Sequence, residues 1–364
     1  MRGKRLLNFC SNDYLGLSKH PLLINRSIEF AKLYGVGSTA SRMICGTFDC
    51  FKEIETKLAE MKGTESALIL NSGYQANVSI LPALSDGESL ILSDWLNHSS
   101  IIQGALLSRC RVIRFYHNDL KHLRKLLEEN YKKGFSRIFI VTESVFSVDG
   151  DQADIDALVA LSEEFHAILI VDEAHATGVL GDEGMGLTCG KNVDIAIGTF
   201  GKACGSFGAY IACSKMIKDY LINRCTGFIY TTAIPPSVVG SIDAAIELIP
   251  KMKKEREYLL KNADMLRSSL NSLGWSTGYS ESQIVPVIIG SEENALSVSR
   301  YLEENGILAI AIRPPTVEEG QSRIRLAVSA LHKEEHLKYF IRVFERFIQH
   351  EAKEIPEQNI CYRY

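Results

Sequence analysis

Ile138-Phe139-Ile140-Val141-Thr142, then Asp154-Ile155-Asp156-Ala157-Leu158-Val159-Ala160-Leu161-Ser162-Glu163-Glu164-Phe165, then Ile168-Leu169-Ile170-Val171: this stretch decides the fold. The outer pieces are short and almost wholly apolar, as strands covered on both faces must be. The middle piece sets Ile155, Leu158, Val159, Leu161 and Phe165 near a helical period. Strand, helix, strand at this separation makes a βαβ unit with a right-handed crossover. Working outward, similar runs at 67–70, 89–92, 112–115, 195–199 and 209–212 alternate with helical stretches. An α/β domain follows, with a mainly parallel seven-stranded sheet and helices on both faces.

The texture changes after Pro235-Pro236. Leu259, Ala263, Leu266, Leu270 and Leu273 mark one face of a long helix stopped by Gly274. Strands are expected at 284–289, 307–312 and 323–328 around a helix near 295–304. An amphipathic helix carrying Leu337, Phe340, Ile341, Phe344 and Ile348 closes a small α+β C-terminal domain, with the last dozen residues loosely held. At about 150 residues per domain, 364 residues make room for two. The expected division is an N-terminal segment at 1–35, a large domain at 36–246 and a small domain at 247–364.

With 46% hydrophobic residues, 23% charged and 9 prolines, the chain has ample apolar material for its cores. A net charge of −4 leaves no basic excess for nucleic acid or anionic lipid. The nine cysteines are odd in number, scattered and never in a CxxC pair, which suits reduced thiols and no metal framework. The start, MRGKRLLNFCSNDYLG, lacks the apolar core of a signal peptide, and no run approaches the length of a membrane helix. The expected setting is soluble and cytoplasmic.

Three motifs are near-misses. Gly35-Val36-Gly37-Ser38-Thr39-Ala40 matches G-x-G-x-x-A, but a helix-like segment at 28–33 stands where a dinucleotide site needs a strand. The stretches 186–191 and 198–202 lack P-loop spacing, and 149–151 reads as a turn, not a calcium loop.

The strongest local signal is Asp172-Glu173-Ala174-His175 together with Gly198-Thr199-Phe200-Gly201-Lys202, each at the carboxyl end of an apolar strand. In parallel sheets that edge holds the site. A buried carboxylate there needs a cationic partner, and Lys202 follows one loop later. The pair suits pyridoxal phosphate, which needs a lysine to carry it and an aspartate on its ring nitrogen. An Asp-Lys ion pair fits the same residues. The turn from Asn71 through Gly73 and Tyr74 to Asn77 precedes a helical stretch, so its N–H groups suit a phosphate. His98 offers a flat ring, Glu143 and Ser147 reach the same edge, and Arg323 and Arg325 share one strand face, offering forks for a carboxylate.

These residues, with Ser11 to Leu17, Leu96 to His98, Thr142 to Ser147, Thr231 to Pro236 and Arg323 to His332, closely resemble the α-oxoamine synthases. These are fold-type I pyridoxal-phosphate transferases that join an amino acid to an acyl thioester with loss of carbon dioxide. Within the family, Ser72 to Asn77, Asp172 to Ala176 and Gly205 to Gly208 are similar to the biotin-pathway branch. That branch condenses L-alanine with pimeloyl-CoA or a pimeloyl-acyl carrier protein. The resemblance implies that Lys202 carries the cofactor, Asp172 pairs with the ring nitrogen, and Ser147 and His175 contact the ring hydroxyl. It implies that His98 stacks on the ring and assists proton transfer. Gly73, Tyr74 and Thr199 would hold the phosphate with Thr232 from a second subunit, in a homodimer. It assigns Arg325 to the amino-acid carboxylate, and Asn12, Arg313 and Thr316 to further substrate contacts.

The alternatives are a glycine-using ketobutyrate ligase, another member of the family, or a pyridoxal-phosphate-binding pseudoenzyme or scaffold. Two departures stand out. Only eleven residues precede Asn12, where the family carries a further helix and a substrate-side arginine, which points to a shortened start or altered carrier recognition. Phe51 stands where many relatives have histidine, a change expected to affect packing only.

Overall fold

The computed structural model describes residues 5–354, with side chains through 347. The Ile348 side chain, Cys361 and nearly all of the tail expected to be loosely held lie outside the described residues. Twelve strands are present among the described residues. They are β1 (Leu7–Asn8), β2 (Ser66–Leu70), β3 (Leu90–Asp94), β4 (Arg111–Phe115), β5 (Ile138–Glu143), β6 (Ile168–Asp172), β7 (Ile195–Thr199), β8 (Ala209–Cys213), β9 (Ile284–Gly290), β10 (Ile307–Leu308), β11 (Ile310–Ile312) and β12 (Ser322–Ala327). The helices that matter below are α1 (Pro21–Tyr34), α2 (Asp49–Lys62), α3 (Gly73–Leu84), α4 (Ser99–Leu107), α5 (Leu120–Asn130), α6 (Ile155–Glu164), α7 (Pro236–Leu248), α8 (Lys253–Ser272) and α9 (Glu292–Glu304).

Contacts group these elements into two compact units. The larger comprises Leu15–Ser147 and Gln152–Arg256, the smaller Met1–Tyr14, Val148–Asp151 and Glu257–Tyr364. In the larger unit β2 to β8 form the seven-stranded sheet, ordered β2-β8-β7-β6-β5-β3-β4. Only β8 runs antiparallel to its neighbours; the remaining pairs are parallel. Alternation along each strand divides the apolar residues between the faces. Ile91, Phe139, Val141 and Ile170 pack with Ile80 of α3 and Ile101 of α4. Leu92, Ile138, Ile140 and Val171 pack with Leu123 of α5 and Leu158 of α6. The decisive stretch is β5, α6 and β6, with Phe139 opposite Ile168 in a parallel ladder, and Asp154 caps α6 by accepting from the Ala157 N–H. The α1 helix, ending at Tyr34, occupies the place before Gly35 where a nucleotide motif needs a strand.

The smaller unit holds the antiparallel sheet β11-β12-β9 and the parallel pair β1-β10. The single strand expected at 307–312 is two, because the pieces have different partners: β10 pairs with β1, and β11 with β12. Between them the Ala309 carbonyl turns aside to accept from Ser299 Oγ at 2.7 Å. The same β1 pairing, with Phe9 stacked on His332 at 4.3 Å, accounts for a grouping that differs from the expected 1–35 segment. Its described residues up to Tyr14 go with the C-terminal elements. In contrast α1 packs within the larger unit, where Arg26 pairs with Asp243 of α7. The larger unit runs to Arg256, inside α8, ten residues past the expected boundary at 246/247. The turn at 149–151 needs its glycine: Gly150 has φ +72°, and a Cβ there would lie 2.2 Å from the Ile284 carbonyl oxygen.

Candidate active site

Four adjacent parallel strands of the larger unit end at one edge on polar residues: Asp94 closes β3, Glu143 β5, Asp172 β6 and Thr199 β7. Glu143 and Asp172 are register partners. Each strand is apolar until its last one or two residues, so the sheet lifts these groups out of the core at a common level.

Asp172 is 6% exposed. Its Oδ2 accepts from Asn77 Nδ2 at 2.6 Å and its Oδ1 from the Ala174 N–H at 2.8 Å. Asn77 Nδ2 also donates to Ser100 Oγ at 3.0 Å. That hydroxyl lies 2.7 Å from His98 Nδ1, which in turn accepts from the Ser100 N–H at 3.2 Å. With Nδ1 an acceptor, the neutral His98 ring carries its proton on Nε2. Burial lowers its pKa, the Asp172 charge raising it and Lys202 lowering it further, so the ring is neutral at pH 7.

Lys202 follows β7 by three residues. Its loop is closed by the Gly205 N–H on the Lys202 carbonyl at 2.9 Å and the Phe200 N–H on the Gly208 carbonyl at 2.9 Å. Gly205 has φ +61°, and a Cβ there would lie 2.3 Å from the Ser18 nitrogen. Lys202 Nζ lies 2.6 Å from His175 Nε2. Both Lys202 and Asp172 act on the ionisation of His98 and of the buried Glu143. Burial first and the Asp172 charge second push the Glu143 carboxyl well above the usual carboxylate range, with Lys202 and the His98 N–H opposing.

At the start of α3, Ser72 is the N-cap and accepts from the Gln75 N–H at 3.1 Å. The first N–H groups of the helix, Gly73 and Tyr74 among them, have no partner within it. Gly73 lies beside Thr199, whose Cβ is 3.9 Å from where a glycine Cβ would stand. Thr199 Oγ1 accepts from the Gly201 N–H at 3.2 Å and donates to the Gly208 carbonyl at 3.0 Å. Next to the cap, Asn71 Nδ2 donates to the Thr232 carbonyl at 2.8 Å, and Thr232 is exposed. Ser147 is half-buried on the turn after β5. Phe51 is buried in α2 with the Arg42 guanidinium 4.1 Å over its ring.

In the smaller unit both terminal nitrogens of Arg325 reach Asn12 Oδ1 at 3.3 Å, and the Tyr14 hydroxyl donates to the same oxygen at 3.0 Å. Arg313 pairs with Glu292 of α9, and its carbonyl accepts the Thr316 N–H at 3.0 Å across the turn after β11. Arg323 departs from expectation. It faces the same side of β12 as Arg325, but its guanidinium is committed to Asp149 and to the Gln321 carbonyl, so it is an internal tie and not an open fork.

Sequence reasoning passed over Asn77 and Ser100 as partners. Their signal was available: Asn77 is polar in a helix of apolar neighbours, and Ser100 stands two residues from His98. It also passed over a wholly buried ion pair beneath this edge, Lys62 of α2 with Glu173, whose Oε1 accepts the Thr188 N–H at 2.9 Å.

Residues 4–344 match the Aminotransferase class I and II family. A protein of Desulfosudis oleivorans, provisionally named 8-amino-7-oxononanoate synthase, is 61% identical over 332 residues, 91% of this chain and 86% of that protein. The 8-amino-7-oxononanoate synthase of Gluconacetobacter diazotrophicus is 51% identical over 340 residues, 91% of this chain and 85% of its own. Among solved structures, a variant serine palmitoyltransferase of S. paucimobilis with a bound PLP-myriocin aldimine superposes with a TM-score of 0.91 at 28% identity, covering 97% of this chain and 89% of that one. The 8-amino-7-oxononanoate synthase of Francisella tularensis superposes with a TM-score of 0.82 at 25% identity, covering 95% and 99%.

Proposed function

Since the chain belongs to the class I and II aminotransferase family, we propose that it performs the 8-amino-7-oxononanoate synthase reaction of biotin synthesis. It condenses L-alanine with a pimeloyl thioester of CoA or acyl carrier protein and releases carbon dioxide and the free thiol. The relatives at 51% and 61% identity support this reading. The observation that carries it is a donor set. A lysine amine on a glycine-closed loop, a buried carboxylate on the neighbouring strand end, a neutral imidazole and the first turn of α3 surround one sheet edge.

That set fits pyridoxal phosphate, which when bound supplies an electron sink for negative charge at the amino acid's Cα. Lys202 is the residue that would carry it, and its amine would take and return the Cα proton. Asp172, its orientation set by Asn77, keeps the ring nitrogen protonated. His98 stacks on the ring and assists proton movement at the thioester carbonyl. Ser147 and His175 hold the ring hydroxyl. Gly73, Tyr74 and Thr199 hold the phosphate through the helix start, with Thr232 of the partner subunit. Arg325, steadied by Asn12, binds the alanine carboxylate, and Arg313 and Thr316 make further substrate contacts.

We take the working form to be a cytoplasmic homodimer. Exposed apolar residues on and after α1, among them Leu33, Val36 and Ile44, support an interface there. No helix among the described residues is long and apolar enough to cross a membrane. The test is turnover of the purified protein with pimeloyl-CoA or acetyl-CoA and L-alanine, glycine or L-serine, read as carbon dioxide and product mass. Preference for alanine supports the reading. Preference for glycine with acetyl-CoA moves the chain to another branch, and bound cofactor without turnover makes it a pseudoenzyme.

A further inference from the structure

Glu143, at the end of β5, is 3% exposed. Its Oε1 accepts the backbone N–H of His98 at 2.6 Å. His98 is the N-cap of α4, a position whose own N–H has no partner inside the helix. The residues before it are tied separately. The Leu96 N–H donates to Asp94 Oδ1 at 2.8 Å, and Asn97 Nδ2 donates to the Val141 carbonyl at 2.8 Å and to Ser93 Oγ at 2.9 Å. Beyond the backbone, Ser100 fixes Nδ1 of the ring. The His98 carbonyl accepts the Ile101 N–H at 2.9 Å and the Ile102 N–H at 3.2 Å within α4, and the Glu143 bond is the side-chain tie on the His98 N–H.

We propose that Glu143 is a positioning residue that sets the plane of the His98 ring against the cofactor, acting as a hydrogen-bond acceptor and not as a charge. The inference rests on the pyridoxal phosphate reading. The charged groups around it are Asp94 from β3, Asp172 from β6 and Lys202 from the loop after β7. Two carboxylates and burial favour the neutral acid, and a protonated carboxyl still accepts through its carbonyl oxygen. The bond to His98 therefore survives neutralisation, whereas a role as counter-charge to Lys202 would not.

Glutamine keeps the acceptor and removes the charge; alanine removes both. Pyridoxal phosphate is titrated into apoprotein made from wild type, Glu143→Gln and Glu143→Ala, with dissociation constants and the visible circular dichroism of the bound ring as readouts. Glu143→Ala should weaken binding about tenfold, as expected for one buried hydrogen bond, and at least halve the visible dichroism. Glu143→Gln should stay within about twofold of wild type, inside the usual scatter for an isosteric change. On a His98→Ala background, Glu143→Ala should add less than about twofold, since residues acting through one another are not additive. Glu143→Met, which fills the volume without an acceptor, serves if alanine fails to fold. The proposal is overturned if glutamine is as impaired as alanine, if alanine leaves binding and dichroism intact, or if the His98 double variant is additive. A wild-type protein that binds no pyridoxal phosphate overturns the functional reading itself, a separate result.

Discussion

Asn77 donates to Asp172 Oδ2 at 2.6 Å while the Ala174 N–H holds Oδ1 at 2.8 Å, so neither carboxylate oxygen can swing away from the strand end. Each oxygen keeps a lone pair for another donor. Asp172→Asn should lower the alanine condensation rate roughly hundredfold or more, the scale for losing a preorganised electrostatic partner. Asn77→Ala, which frees the carboxylate without removing it, should lie between that variant and wild type. Steady-state kcat decides the order, and Asn77→Ala equal to wild type would remove the orienting role.

Lys202 is tested by trapping. Borohydride reduction of the protein incubated with pyridoxal phosphate should add one cofactor to the peptide containing Lys202, read by mass spectrometry. In Lys202→Ala that adduct should vanish. An adduct that persists on another lysine would reassign the attachment point.

The Lys62–Glu173 pair has both side chains fully buried. Removing one partner strands a charge, at a cost of about 3–5 kcal/mol, whereas an apolar pair of similar volume tends toward neutrality. Lys62→Met should therefore shift urea unfolding strongly, and Lys62→Met with Glu173→Leu should recover part of the loss. A double variant no more stable than the single one would show that the damage is packing and not charge.

His332 supplies a pH dependence. Its Nδ1 accepts from the Ser329 N–H at 3.1 Å and its Nε2 donates to the Asn8 carbonyl at 2.9 Å, a pattern only the neutral ring can make. Burial lowers its pKa from 6.5 to about 4, the Asn8 carbonyl opposing and His336 adding to the depression. The unfolded chain thus binds the proton more readily. The stability this ring contributes is complete above pH 6.5 and is lost as pH falls from 6.5 toward 4, at about 1.4 kcal/mol per pKa unit, or about 3 kcal/mol in all. His332→Leu should be less stable at pH 7 and should flatten the decline between pH 6.5 and 4 in thermal or urea unfolding. An unchanged slope would assign it to other groups.

The large sheet was legible because each strand is a run of apolar residues with a polar last position. Ile168 to Asp172 and Ile195 to Thr199 announce both a buried strand and the level of the site. The polar edge, the lysine loop and the helix start follow from the same pattern. What escaped has a common cause. Strands β1 and β10 have two residues each, too few for any period, and exist only because they find one another. Arg323 and Arg325 look alike on the strand face; only the distant Asp149 and Asn12 distinguish an internal tie from a fork held by an amide. Asn77 reaches Asp172 across 95 residues, a pairing that no local spacing encodes.

The pairing of Leu7 with Ile307 also sets a timetable. On the ribosome, the larger unit has its whole sheet once Cys213 has been made, whereas β1 must wait for β10, about 300 residues after it. At roughly 5–20 residues per second of synthesis, that interval is about 15–60 s. During that time the buried Phe9 and Tyr14 lack the C-terminal residues that cover them. Strand β1 is thus made long before the partner it needs, which makes it a natural place for a chaperone to hold the growing chain.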